Sequence, residues 1–152
     1  MADTTADIAR TYEAGVEPIM NNHTFGSGVV YEGAVVGLDA DTNAVTATLD
    51  TAADVFAGFA MTKADYSKGA RHVQVRAQGI VKLTVATTAD ALDVGDTVYA
   101  SDNQTFTASA DDGGGTPVNY LAIGKVHRIE SGDGTDSVVA LVHFQAASLR
   151  SL

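Results

Sequence analysis

The stretch GARHVQVRAQGIVKLTVA, residues 69–86, constrains the fold more than any other part of this chain. Val73, Val75, Ala77, Gly79, Val81, Leu83 and Val85 share one parity. His72, Gln74, Arg76, Gln78, Lys82 and Thr84 hold the other, and Ile80 is the one apolar residue among them. A period of two is the pattern of a strand with one face buried. Fully extended, residues 71–85 span about 50 Å at ~3.3 Å per residue. That is too long for a straight strand in a small domain, so the sequence predicts a bend or corner at Gly79.

Short runs of the same kind fill the chain from Val29 onwards. VVYEGAVVGLD and AVTATLD flank residues 40–43 as a first hairpin, and DVFAGFAM carries Gly58 inside it, a sign of a bulge or a close backbone approach. DVGDTVYAS and TFTAS flank DNQ as a second hairpin. YLAIGKVHRIE and SVVALVHF flank SGDGTD as a third. Many short strands with regular turns predict an all-β fold, a small antiparallel β-barrel or β-sandwich-like domain over residues 29–145. Residues 146–152 read as a short tail. Residues 1–28 differ: they are polar, show no sustained alternation and end in Gly-Ser-Gly. They read as an N-terminal arm with isolated apolar anchors at Ile8, Tyr12, Val16, Ile19, Met20 and Phe25. Either a helix over Thr5–Ala14 stopped by Gly15 or an extended arm fits, since Glu17 precedes Pro18. The fold class is therefore a β domain with an N-terminal extended arm.

Composition bounds the function. The chain has 152 residues, 45% of them hydrophobic, which suits one globular domain. A net charge of −10 gives no footing for nucleic acid, whose binding runs on clustered Lys and Arg. Five of the nine basic residues, Lys63, Lys68, Arg71, Arg76 and Lys82, fall close together. They read as a solvated strand face, or as a stripe meeting a sister subunit or an acidic partner through Arg71, Arg76 and Lys82. With no cysteine there is no disulfide, thiolate metal site or Cys nucleophile. No apolar run approaches the ~18 residues of a membrane helix. MADTTADIAR lacks the basic and apolar regions of a secretion signal, so the protein is expected to act where it is made or to leave by another route.

Motifs that carry chemistry are weak. Asp39, Asp41, Asn43 and Asp50 fall at positions one, three, five and twelve of a calcium loop. Ala44 stands where such a loop needs Gly, and Asp50 is short for the closing bidentate ligand, so a plain turn competes with this reading. The histidines are scattered and form no zinc pattern, although His127 and His143 could meet across the last hairpin. DDGGGTP lacks the Lys and the helix of a phosphate loop and reads as a surface loop. Neither a nucleophile elbow nor an acid–base pair stands out. No cofactor and no enzymatic activity are expected.

The order of the motifs carries more. GSGVVYEGAVVGLDAD, DVFAGFAM, GARHVQVRAQGIVKLTVA, DVGDTVYASDNQTFTASA and LAIGKVHRIESGDGTDSVVALV together resemble the capsid cement, or head decoration, proteins of tailed bacteriophages. Three segments carry the likeness: Val73–Val85, Gly95–Thr107 and Ile123–Val142. The resemblance implies a β-barrel-like domain made in the bacterial host cytoplasm and seated on the outer surface of the virion head. It implies the major capsid protein and further copies of itself, as a homotrimer, as partners. Ile8, Tyr12, Ile19, Met20 and Phe25 would then form a capsid-binding arm, and Arg71, Arg76 and Lys82 a contact with a sister subunit or the shell. Two other readings stand beside it. One is a tail, baseplate or cell-surface ligand-binding module using calcium or the acidic loops 39–43, 111–115 and 131–136. The other is a trimeric β-barrel nucleotide hydrolase, whose motifs are not visible.

Overall fold

The alternating stretch folds as one continuous strand of fifteen residues, His72–Ala86. The computed structural model describes residues 3–87, 92–132 and 137–147. Among these the chain forms β1 (Tyr12–Glu13), β2 (Ile19–Thr24), β3 (Val29–Val30), β4 (Val35–Leu38), β5 (Val55–Ala60), β6 (Ala64–Asp65), β7 (His72–Ala86), β8 (Thr97–Ala100), β9 (Phe106–Thr107), β10 (Leu121–Ser131) and β11 (Ser137–Gln145). A 3-10 turn, Tyr66–Lys68, precedes β7 and ends at Gly69 in the left-handed region.

β7 is paired along both edges. β1, β2 and β9 follow one of them, while β5 and β11 follow the other. The double pairings show this: Val75 and Arg76 meet both β2 and β5, Ile80 and Val81 meet both β1 and β11, and Val85 and Ala86 meet both β9 and β11. β11 pairs next with β10, β10 with β8, β8 with β9, and β9 returns to β7 in parallel through Val85 and Phe106. The result is a closed β-barrel, extended past one end of the ring by β2, β4 and β5. Closure decides between the two sequence readings, because a sandwich would leave sheet edges that this ring does not have.

Two apolar cores follow from this layout. Val81, Leu83 and Val85 point into the barrel with Val98, Ile123, Val142, Phe106 and Phe144. Val73 and Val75, of the same parity, serve a second cluster with Phe25, Val36, Val45 and Ala57. The corner expected at Gly79 takes the form of a handover. Register slips at Ala77, which is skipped between Ile19–Gln78 and Met20–Arg76, and β11 takes over from β5 at Gln78. Such a slip is a β-bulge, which bends the strand and sharpens its twist.

The first hairpin differs from its sequence reading. β4 pairs with β5, and residues 44–50 contribute one bridging residue, Val45, which meets Leu38 and Phe25. Side chains take over the backbone there: the Asp54 carboxylate accepts from the Asp50 amide and the Thr46 hydroxyl, both at 2.8 Å. Carboxylates that bond nearby amides offer the chain an alternative to a ladder. The second and third hairpins are β8–β9 and β10–β11. Residues 133–136 of the third turn, and the tail from 148 onward, lie outside the described residues.

Gly58 has a positive φ of 130°, and a Cβ there would stand 2.0 Å from the Arg76 carbonyl oxygen. Gly58→Ala should therefore destabilise the protein by about 3 kcal/mol or more in urea unfolding. Gly26→Ala meets nothing within 4 Å and should stay within about 0.5 kcal/mol of wild type.

Candidate functional site

The sequence placed the binding surface on the arm, and the arm is extended. No helix covers Thr5–Ala14, and β1 and β2 run antiparallel along β7. The anchors turn inward to different degrees. Phe25 is 3% exposed and belongs to the second core, so it is not available to an outside partner. Tyr12 packs on the barrel core, its ring 6.2 Å from that of Phe144. Ile8 and Ile19 are half-buried, and the Ile8 amide donates to the Glu32 carbonyl at 2.8 Å. Met20 alone of the five stays exposed, at 41%. Ile80, the apolar intruder in β7, explains the arm's position. It lies on the outer face yet is 4% exposed, because the arm crosses it with Glu13 as its register partner and Gly15 close to its Cδ1. An arm that binds its own domain saves the apolar surface that a free one would expose.

The basic stripe resolves into separate intrachain contacts. The Arg71 guanidinium stacks 3.9 Å from the Tyr66 ring and donates to the Tyr66 and Ala70 carbonyls. Arg76 stacks on Tyr12 at 4.2 Å, pinning the arm. Lys63 sits over Tyr31 at 4.7 Å. Cations over ring faces are attracted by the ring quadrupole. Lys82 is exposed. On the arm, Glu13 meets Arg128 of β10 at 3.0 Å, and Arg128 also binds Glu130 at 2.7 Å. These contacts hold Arg128 above its usual pKa, chiefly through Glu130, and Glu130 below the usual carboxylate range.

The calcium pattern closes on itself. Asp39 Oδ1 accepts from the Thr42 amide and hydroxyl and from the Asp41 amide, which lowers its pKa, Thr42 first. Asp50 Oδ1 accepts from the Ala52 and Ala53 amides of a separate turn. Asn43 takes a φ of 57°, a turn conformation. Among the described residues no group of three or more His, Asp or Glu could hold a metal ion. Nor does the last hairpin join its histidines: His143 pairs with Lys125, and His127 falls in a register slip. The Gly-rich loop is likewise folded onto its own carboxylates, with Asp112 accepting from the Gly114 and Val118 amides.

Among the described residues, the outer edge of β2 and a concavity on the barrel wall are surfaces open to a protein partner. β2 uses one edge on β7; along its other edge the described residues give only the Thr24 carbonyl, accepting from Val45, a partner. The second surface is a concavity of about 480 Å³ outside β8, β10 and β11, walled by Tyr99, Lys125, His143 and Gln145 over Gly124. Sequence reasoning passed over one residue, Arg10, the one Lys or Arg of the first 28. It is half-buried, with its guanidinium 5.1 Å from the Phe106 centroid and 5.6 Å from that of Phe59. No protein-family model and no curated protein matches the chain.

Calcium at millimolar concentration should leave the melting temperature unchanged; a rise of several degrees would restore the metal reading. His23, which pairs with Val73, titrates below its usual 6.5 because burial disfavours the imidazolium. The unfolded chain therefore takes up this proton first as pH falls. The contribution of His23 is complete above pH 6.5 and declines as pH drops through the lower folded value. His23→Asn should flatten the loss of stability between about pH 7 and 5 in denaturant titrations.

Proposed function

We propose that the protein is a capsid decoration protein, a structural cement on the outside of a tailed-phage head that binds the major capsid protein and its own copies as a trimer. The observation that carries this reading is where the three family-like segments fall. Val73–Val85 is β7, Gly95–Thr107 is the β8–β9 hairpin, and Ile123–Val142 lies on β10 and β11. Together they supply every strand of the closed ring, and the two other segments of the likeness, residues 26–41 and 54–61, supply β3, β4 and β5 beside it. A likeness spread over unrelated loops would have no such meaning.

A role made of contacts also suits the surface. The open edge of β2 can accept a strand from a neighbour, where backbone pairing gives affinity and side chains give specificity. Exposed Met20 sits on that strand. Several copies in one assembly would add weak attachments into avidity. A ligand-binding tail or cell-surface module is the second reading, and the concavity beside Tyr99 favours it.

The test is co-sedimentation of the full chain with mature phage heads stripped of decoration. Removing residues 1–25 is a poor variant, since it strips β1 and β2 from β7. Saturable binding is expected, weakened about tenfold by Met20→Glu, equivalent to ~1.4 kcal/mol. A folded protein that stays in the supernatant at every concentration would remove the shell reading. Unaltered binding by Met20→Glu would remove β2 from the interface.

A further inference from the structure

The barrel wall has a gap. On the edge of β7 shared by β1 and β9, Tyr12 pairs with Val81, and the Lys82 amide donates to the Thr11 carbonyl at 2.9 Å. Pairing resumes at Val85 with Phe106. Among the described residues Leu83 and Thr84 have no paired strand residue on that edge. A concavity of about 350 Å³ lies there, between the arm, β7 and β9. Arg10, Thr11, Lys82, Thr84 and Phe106 line it.

The charge in this gap is unbalanced. Two of the chain's nine Lys and Arg residues line it, and no carboxylate among the described residues does, although the chain holds nineteen. Arg10 is fixed in place: its Nε donates to the Gly33 carbonyl at 2.9 Å, and its guanidinium lies near the rings of Phe59 and Phe106. Its Nη2 is buried with no hydrogen-bond partner. Burial lowers the Arg10 pKa, so the charged form bears a desolvation cost here. A buried donor left unmade is expensive, and charge-assisted bonds to an oxyanion are among the strongest available. Glu130, on which the charge of Lys82 acts, is itself bonded to Arg128.

We infer that this gap is an oxyanion site, in which Arg10 and Lys82 together take a phosphate or carboxylate group. Guanidinium suits the planar, forked recognition of such groups, and the ammonium adds a flexible point charge. The volume exceeds the ~30 Å³ share of one water and leaves room for part of the body that carries the anion. This site is independent of the shell-binding reading.

The test is an NMR titration of the full chain with sodium phosphate, and separately with sodium acetate, at ionic strength held constant with chloride. Saturable shifts are expected at the amides of residues 10–11 and 82–84. Lys82→Gln, at an exposed side chain, should keep the fold and weaken binding about tenfold, while Lys125→Gln should leave it unchanged. Saturation by phosphate alone assigns a phosphoryl group, and saturation by acetate as well assigns a site that accepts a partner's carboxylate. Linear, unsaturated shifts, or equal saturation in Lys82→Gln, would overturn the inference.

Discussion

Pairing on both edges of β7 is the constraint on which the rest depends. A strand bonded on one side only would leave a row of free amides and carbonyls. Here five other strands share that row, two on one edge and three on the other. Because side chains alternate, the same pairing sends Val73 and Val75 into one core and Val81, Leu83 and Val85 into another. A slip of one residue would reverse both faces at once. The handover at Ala77–Gln78 lets one strand serve two cores without losing that parity.

The negative charge has a structural origin. Asp39, Asp50, Asp65, Asp96, Asp102, Asp111 and Asp112 each accept at least one backbone amide in a turn. Short strands need many turns, and carboxylates satisfy turn amides that no strand reaches. Seven of the nineteen carboxylates thus serve chain reversal. Such acidity says little about an acidic ligand site, and it makes the few clustered cations more informative than the many anions.

Much of the barrel was legible in the sequence because its signals are local. The alternation of Val73–Val85 is read from neighbours in the chain, as are the turn residues of the last two hairpins. Gly58 was legible as a close approach, and the structure supplies its neighbour, the Arg76 carbonyl. Residues 44–50 misled because alternation in AVTATLD does not reveal that Asp54 bonds the segment's polar groups. The arm was half legible. Its spaced apolar residues announced that something would cover them, but the partner, Ile80 and the outer face of β7, is defined only by the fold. Arg10 carried no motif at all. Its surroundings, two Phe rings and the Gly33 carbonyl, come from segments far apart in the chain.

The order in which a ribosome delivers these strands has a consequence. One edge of β7 between Gln78 and Ala86 is completed by β11, which begins at Ser137. The nascent chain therefore carries a hydrophobic strand with a bare edge through the synthesis of some fifty further residues, from Ala86 to Ser137. Many chains made at once from one message would hold such edges in close proximity. Lys82 and Thr84 are polar outward residues on that stretch, the kind of residue that guards a bare strand edge against mispairing.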